Sequence, residues 1–260
     1  MSSSKVDAAP DGKRALMREL LTGVVRSSEF EGQPWRDVCL GEMGEVFGGG
    51  TPASHNPEYW NGGIPWATPT DITDLQSREI RWTARTISEA GLRASSAKLL
   101  PEQTLLICTR ATIGEIAIAA VPMATNQGFK NLVLSSDYDP RFVYYLISFF
   151  KNRLLRVASG STFGEVSKRD VERMSFEVPC LPEQRRIAAV LDTADTEIAL
   201  HRDFITQLRA QKRSLLEQLL TGRLRVPPRF DADGTTRLKA STPDPAAATT
   251  PPGPPTSQPP

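Results

Sequence analysis

From Glu183 to Thr221 the chain carries neither glycine nor proline. No other feature constrains the fold as tightly. Pro182 suits a first helical turn and Gly222 suits a helix stop. The stretch therefore predicts one continuous helix, about 58 Å long at ~1.5 Å per residue. Such a helix must bury a stripe against something. Leu191, Ile198, Ile205, Lys212 and Leu219 are spaced by seven, and Ile187, Ala194, His201, Leu208 and Leu215 form a second seven-spaced set offset by four. Apart from His201 and Lys212 these positions are apolar, which is the seam of a coiled coil; polar interruptions of this kind fix register or partner. A long helix folded onto its own domain is the alternative, and both stay open.

The end of this helix is written twice. "KRALMRELLTGVVR" (13–26) and "KRSLLEQLLTGRLR" (212–225) agree at eight of fourteen positions. Leu16 matches Leu215 and Leu20 matches Leu219, so Lys13–Thr22 predicts a short helix with an equivalent face. It is too short to be stable alone and needs a partner helix, in this chain or another. Nothing comparable recurs in between, which excludes a solenoid.

Length and composition bound the rest. The 260 residues, 39% hydrophobic, can bury one substantial core. Cys39, Cys108 and Cys180 lie far apart and suggest neither a disulfide framework nor a zinc site. No apolar run approaches the ~20 residues that cross a bilayer and no signal peptide is visible, so a cytoplasmic protein without membrane contact is expected. The net charge of +1 does not by itself announce a nucleic-acid binder.

Residues 1–12 and 227–260 are expected to be disordered, the latter a Pro/Thr/Ala-rich tail with little to bury. Between them, residues 13–34 read as a helix end and linker, 35–180 as a compact mixed domain, and 181–226 as the long helix. Within the domain, Leu105–Thr109 and Glu115–Ala119 read as strands joined by a turn near Gly114. Asp139 reads as the N-cap of a buried helix that starts with Pro140 and ends before Gly160. The fold class is α+β: one compact mixed α/β domain followed by a long coiled-coil helix.

The parts of common enzymes are missing. "VFGGGTP" (46–52) lacks the Lys-Ser/Thr of a phosphate loop, so Gly48–Gly50 read as a flexible turn. Only His55 and His201 are present, without a Gly-x-Ser-x-Gly elbow. No ligand set has metal spacing, Cys108 reads as a small core residue, and the Asn/Asp-Pro-Pro-aromatic motif of amino-methyltransferases is absent. The chain is expected to hold no active site, cofactor or metal of its own.

Several motifs in one order carry a resemblance: "WRDVCLGEM" (35–43), "GGGTPASHNPEYWNGGIPWATPTDI" (48–72), "LLICTRATIGEIAIA" (105–119), "ATNQGF" (124–129), "SGSTFGEVSKRDVERMSFEVPCLPEQRRIAAVLDTADTEI" (159–198) and "KRSLLEQLLTGRLRV" (212–226). Together they resemble the specificity subunit of type I restriction-modification systems. The resemblance implies a non-catalytic DNA-reading module whose helix docks methyltransferase subunits. Restriction subunits would complete the complex, with S-adenosylmethionine, ATP and magnesium in those partners. Family members usually carry two recognition domains on two antiparallel helices, each domain reading half of a split site. This chain has one, so it resembles a half-subunit, naturally short or truncated, that would pair with itself or with another half-subunit. An inactive or regulatory remnant that holds methyltransferase subunits without reading DNA is the rival.

On this reading, double-stranded DNA would be met by bidentate side chains on exposed loops. The candidates are Arg78, Arg81, Arg85, Arg110, Asn126, Gln127 and Lys130, with "TNQGF" open to a structural role instead. Arg141, Lys151, Arg153 and Arg156 form a run without acidic residues that would meet phosphates, or else complement a helix C-terminus. Tyr59, Trp60 and Trp66 read as packing aromatics. Helix pairing is assigned to Leu16, Leu20, Ile187, Leu191, Ile198, Ile205, Leu208, Leu215 and Leu219.

Overall fold

A computed structural model describes residues 11–159 and 164–224. The tail, most of the amino-terminal segment expected to be disordered, and Gly160 lie outside them. The described chain falls into two units that part at His201.

The first unit is built on ten short strands: β1 (Arg36–Cys39), β2 (Gly44–Gly48), β3 (Trp60–Ala67), β4 (Glu79–Ile80), β5 (Thr86–Ile87), β6 (Leu105–Cys108), β7 (Ile116–Ala119), β8 (Ala124–Thr125), β9 (Phe129–Leu134) and β10 (Ser175–Val178). Five of them make a central sheet in the order β2-β9-β6-β7-β4, with only the β4–β7 pair parallel. A second sheet runs β5-β3-β8, and β1 pairs with β10. The β6–β7 hairpin pairs Leu105 with Ile118 and Ile107 with Ile116, and it turns through Gly114 at φ 85°.

Both faces of the central sheet are covered, which is why β6 and β7 read as unbroken apolar runs rather than alternating ones. Leu105, Ile107, Ile116 and Ile118 point to one cluster; Leu106, Cys108, Ala117 and Ala119 point to the other. The first cluster is closed by α1 (Asp11–Leu21), α5 (Pro140–Phe149), α6 (Lys151–Ser159) and the start of α8 (Leu181–Leu220). Four shorter helices complete the set: α2 (Leu40–Met43), α3 (Pro69–Thr73), α4 (Glu89–Arg93) and α7 (Lys168–Glu172).

Helix limits follow the expected signals. The Asp139 carboxylate accepts from the backbone N–H of Arg141 and Phe142, capping α5 ahead of Pro140. Past α8, Gly222 adopts φ 70°. Helix α1 begins at Asp11, two residues ahead of the expected Lys13. The single helix expected after Asp139 is two. The chain breaks at Phe150 (ψ 18°), whose ring meets that of Phe149 at 4.9 Å and that of Phe176 at 5.6 Å.

The predicted seam divides. Ile187 and Leu191 are buried in the same core as Met17, Leu20 and Leu21, with Leu16 packed against it. Burial of each such side chain contributes about 1.5–3 kcal/mol. Thus α1 finds its partner helix in its own chain. Ile198 is half-buried, whereas Ile205, Leu208, Leu215 and Leu219 are exposed, together with His201 and Lys212.

The second unit carries the continuation of α8 from Arg202. Its apolar side chains, Phe204 and Leu216 included, stand in solvent.

Candidate nucleic-acid interface

One edge of the first unit is assembled from three loops around two tryptophans. Trp60 and Trp66 meet edge to face at 5.1 Å. The Trp66 Nε1–H donates to the Gly50 carbonyl at 2.9 Å, and the Trp60 Nε1–H donates to that of Ala53 at 3.2 Å. The expected flexible turn at Gly48–Gly50 is open at Gly48 but tightly packed at Gly49 and Gly50. A Cβ on Gly49 would lie 1.9 Å from the Asn126 carbonyl oxygen, and one on Gly50 would lie 2.3 Å from the Ala97 nitrogen. Glycine is required there by close backbone approach.

Within "TNQGF", Asn126 uses its Oδ1 to accept from Gly128 N–H at 2.8 Å. The Thr125 hydroxyl accepts from buried Asn131 at 2.8 Å. This stretch is structural at Asn126. Gln127, next to it, is exposed and bonded only to the Thr51 hydroxyl among the described residues.

Arg85 is exposed but not free: its guanidinium lies 3.6 Å from the Trp60 ring centroid. Arg110 and Lys130 converge on Glu165, at 2.6 and 3.2 Å. Burial pushes the Glu165 carboxyl up, but hydrogen bonds and charge from Lys130 and Arg110 outweigh it and hold the group below the usual carboxylate range. Arg110 is the more accessible of the two cations, with half of its side chain in solvent.

Arg81 and Trp82 stand out from the loop between β4 and β5. Arg81 is exposed and has no ion pair among the described residues. Trp82 is 81% exposed, the highest value among the large apolar side chains. The loop beneath them is held firmly. Trp66 N–H donates to the Arg85 carbonyl and to the Thr83 hydroxyl, both at 3.1 Å, and Ala84 N–H donates to Asp71 at 2.8 Å. Sequence reading passed over Trp82. Its signal was a lone aromatic with the polar Arg81 and Thr83 as its chain neighbours, in a stretch that also carries Arg78 and Arg85.

The remaining candidates belong to other contacts. Arg78 does not face solvent as expected; it donates to the Tyr145 hydroxyl at 2.9 Å and pairs with Asp192 of α8. Arg141 pairs with Asp139 at 2.9 Å and with Asp192 at 3.1 Å. Burial would raise the Asp139 carboxyl, yet the Arg141 hydrogen bond and charge bring it below the ordinary range. Burial, with Asp195 and Asp192 at its oxygen, pushes the Tyr145 hydroxyl well up. Arg153 donates to the Ser175 carbonyl at 2.8 Å and lies over Phe150 and Phe176. Lys151 pairs with Glu115 at 3.5 Å, and Arg156 donates to Asn152 of its own helix. The expected cationic strip is therefore corrected: its members are split between α5 and α6, and most of them already have carboxylate, carbonyl or aromatic partners.

Among the described residues no three His, Cys, Asp or Glu side chains stand where they could hold a metal ion. No described helix is long and apolar enough to cross a membrane. Cys108 is a buried core residue, its thiol pushed up to about 12 by burial.

Comparison with known proteins agrees with this architecture. The specificity subunit of the type I restriction enzyme MjaIX from Methanocaldococcus jannaschii is 35% identical over 166 residues, 62% of this chain and 38% of that protein. The EcoR124I/EcoR124II specificity subunit from Escherichia coli is 34% identical over 167 residues, 60% of this chain and 40% of that protein. The crystal structure of the HsdS subunit from Thermoanaerobacter tengcongensis superposes with a TM-score of 0.57 at 23% identity, covering 82% of this chain and 52% of that one, so the fold is shared. The chain thus spans about half, or less, of the length of these relatives. The family model for the type I restriction modification DNA specificity domain matches residues 32–210, which take in the whole mixed domain and most of α8, and the chain belongs to that family.

Proposed function

We propose that this chain is a non-catalytic DNA sequence-recognition module of a type I restriction-modification complex. Its mixed domain reads one half of a split target, and α8 docks methyltransferase subunits. The observation that carries this reading is the family match, which runs through the mixed domain and on into α8. Two features support it. The loop edge around Trp60 and Trp66 offers Arg81, Trp82, Arg85, Arg110 and Gln127 to a ligand. The exposed seam of α8, Ile205 to Leu219, is the kind of apolar face that a helical partner covers.

Phosphate contacts by the arginines would set affinity, and side chains on the same loops would read base edges. S-adenosylmethionine, ATP and magnesium belong to the methyltransferase and restriction partners. Two copies paired through α8 would present identical domains in opposite orientation, so their site would be palindromic with a gap. A cytoplasmic location follows from this role.

The test is reconstitution with the methyltransferase subunit of the same system, followed by methylome sequencing of cells carrying only these two proteins. A gapped, methylated palindrome is the expected result. A motif made of two different halves would assign the partner to another half-subunit. Stable assembly without any methylated motif would favour a remnant that holds methyltransferase subunits without reading DNA.

A further inference from the structure

Two cations from different elements share one carboxylate at the end of the central sheet. Arg110 follows β6, and Lys130 stands on β9 opposite Ile107 of β6 and Gly48 of β2. Both reach Glu165, which lies ahead of α7. Arg110 grips one carboxylate oxygen through its Nε at 2.7 Å and a terminal nitrogen at 2.6 Å, and Lys130 donates to the other at 3.2 Å. Neither cation has a second ion pair among the described residues. A guanidinium fork on one side and an ammonium on the other also suit two oxygens of a phosphodiester.

The place is tied to the candidate reading edge. Thr109 N–H, next to Arg110, donates to the Gly128 carbonyl at 2.8 Å, and Gly128 joins Gln127 to the start of β9. Exposed Gln127 is therefore close in the chain to Lys130 and one backbone bond away from the Arg110 loop. Backbone strain holds Arg110 there. Thr112 N–H bonds to the Arg110 carbonyl at 2.6 Å across Ala111, whose φ is 57°. A three-residue turn around a left-handed alanine is rare and unfavourable, and such strain collects at functional sites.

The backbone around Glu165 is anchored without its carboxylate. Val166 is fully buried and its N–H donates to the Thr109 carbonyl at 3.2 Å, while Ser167 and Asp170 form a capping box on α7. The Glu165 side chain is 22% exposed, so it can swing outward with the backbone in place. Lys130 is only 13% exposed, and its ammonium meets a phosphate when that carboxylate moves aside.

We propose that Arg110 and Lys130 form a seat for one DNA backbone phosphate beside Gln127, and that Glu165 closes this seat in the free protein. The seat presupposes the DNA-reading role proposed for the domain and adds a control on it. A phosphate must displace Glu165, and trading one anion for another gains little. Loose contacts with unrelated DNA therefore leave the seat closed. A phosphate positioned by base contacts at Gln127 has a high effective concentration there and opens it. Closure thus lowers the affinity for unrelated DNA, which far outnumbers any target.

The experiment uses the full chain reconstituted with its methyltransferase subunit and a fluorescent duplex of unrelated sequence, titrated at several salt concentrations. Glu165→Gln keeps the size of the side chain and removes its charge. It is expected to raise affinity about three- to tenfold. The slope of log affinity against log salt should steepen by about one, since one more phosphate is neutralised. Glu165→Ala, which removes the carboxylate altogether, is expected to give the same two changes. Adding Arg110→Ala to either variant should abolish both gains. Affinity and slope left unchanged by both Glu165 variants would overturn the seat alone, as would gains that survive Arg110→Ala. A lower melting temperature with an unchanged slope would likewise reduce Glu165 to a structural ion pair. Absence of DNA binding in the original complex and in every variant would overturn the recognition role, and the seat with it.

Discussion

Arg78 offers the sharpest separation between a residue that reads DNA and one that holds the domain together. It stands just before β4, yet its guanidinium reaches α5 and α8, donating to the Tyr145 hydroxyl at 2.9 Å and pairing with Asp192. The two charged side chains are 22% and 21% exposed. Breaking a fully buried pair costs about 3–5 kcal/mol, because one charge is left without a partner. Here the cost is lower. Some solvent reaches both groups, and Asp192 keeps Arg141 at 3.1 Å. Arg78→Ala should therefore destabilise the domain by about 2 kcal/mol. At ~2–4 °C per kcal/mol for a domain of this size, thermal unfolding should fall by about 4–8 °C. The same variant, reconstituted with its methyltransferase subunit, should methylate an unchanged motif. A double-mutant cycle with Tyr145→Phe should show coupling, since the two side chains share one hydrogen bond. An unchanged melting temperature combined with an altered motif would refute the reasoning and return Arg78 to the reading surface.

Trp82→Ala should weaken DNA binding by the reconstituted complex about tenfold and leave the melting temperature alone, since the side chain is 81% exposed; equal loss in both measurements would mean a packing role instead. Gly49→Ala should cost several kcal/mol by thermal unfolding, because its Cβ would lie 1.9 Å from the Asn126 carbonyl oxygen; a near-neutral result would mean that the 124–128 segment moves freely. Asp139 has its folded carboxyl held below the ordinary range, so its contribution is present above the unfolded value of about 4 and is lost as pH falls below that value through the lower folded one. Asp139→Asn should accordingly be less stable near neutrality and lose less stability on acidification, measured by unfolding across that range; a parallel acid limb would show that the Arg141 contact contributes little.

Local signals were legible in the sequence and distant partners were not. The β6–β7 hairpin, the Asp139 cap and the stop at Gly222 each depend on neighbours within a few residues, and each formed as expected. Arg78 and Asp192 are 114 positions apart, so no window of sequence shows that this arginine is already paired. The Gly48–Gly50 stretch failed for the same reason: a flexible glycine run and a crowded one look alike until the Asn126 carbonyl is set beside Gly49. The break at Phe150 was hidden too, because the apolar pattern continues through it and only the Phe176 ring, from β10, rewards the turn. Charge told least of all. A run of cations with no acidic residue inside it became, in space, side chains held by Asp139 just before it and by the distant Asp192, Glu115 and Ser175 carbonyl.

The way the cations divide bears on how one scaffold can serve different targets. A phosphate must compete with any carboxylate already bonded to an arginine, and exchanging one anion for another gains little. Arg78, Arg141 and Lys13 meet Asp192, Asp139 and Asp195 at the base of α8, so their charge is already used in fixing α1, α5 and α8 to one another. Arg81, Arg85 and Arg110 lie on loops that end outside this network. Of these, Arg81 has no ion pair among the described residues, and Arg85 rests on a tryptophan ring that leaves its charge uncancelled. Substitutions at Arg81, Trp82 or Gln127 alter what the edge presents without touching the contacts that hold α8. Binding specificity can then change while the attachment of the helix, and whatever assembles on it, stays the same.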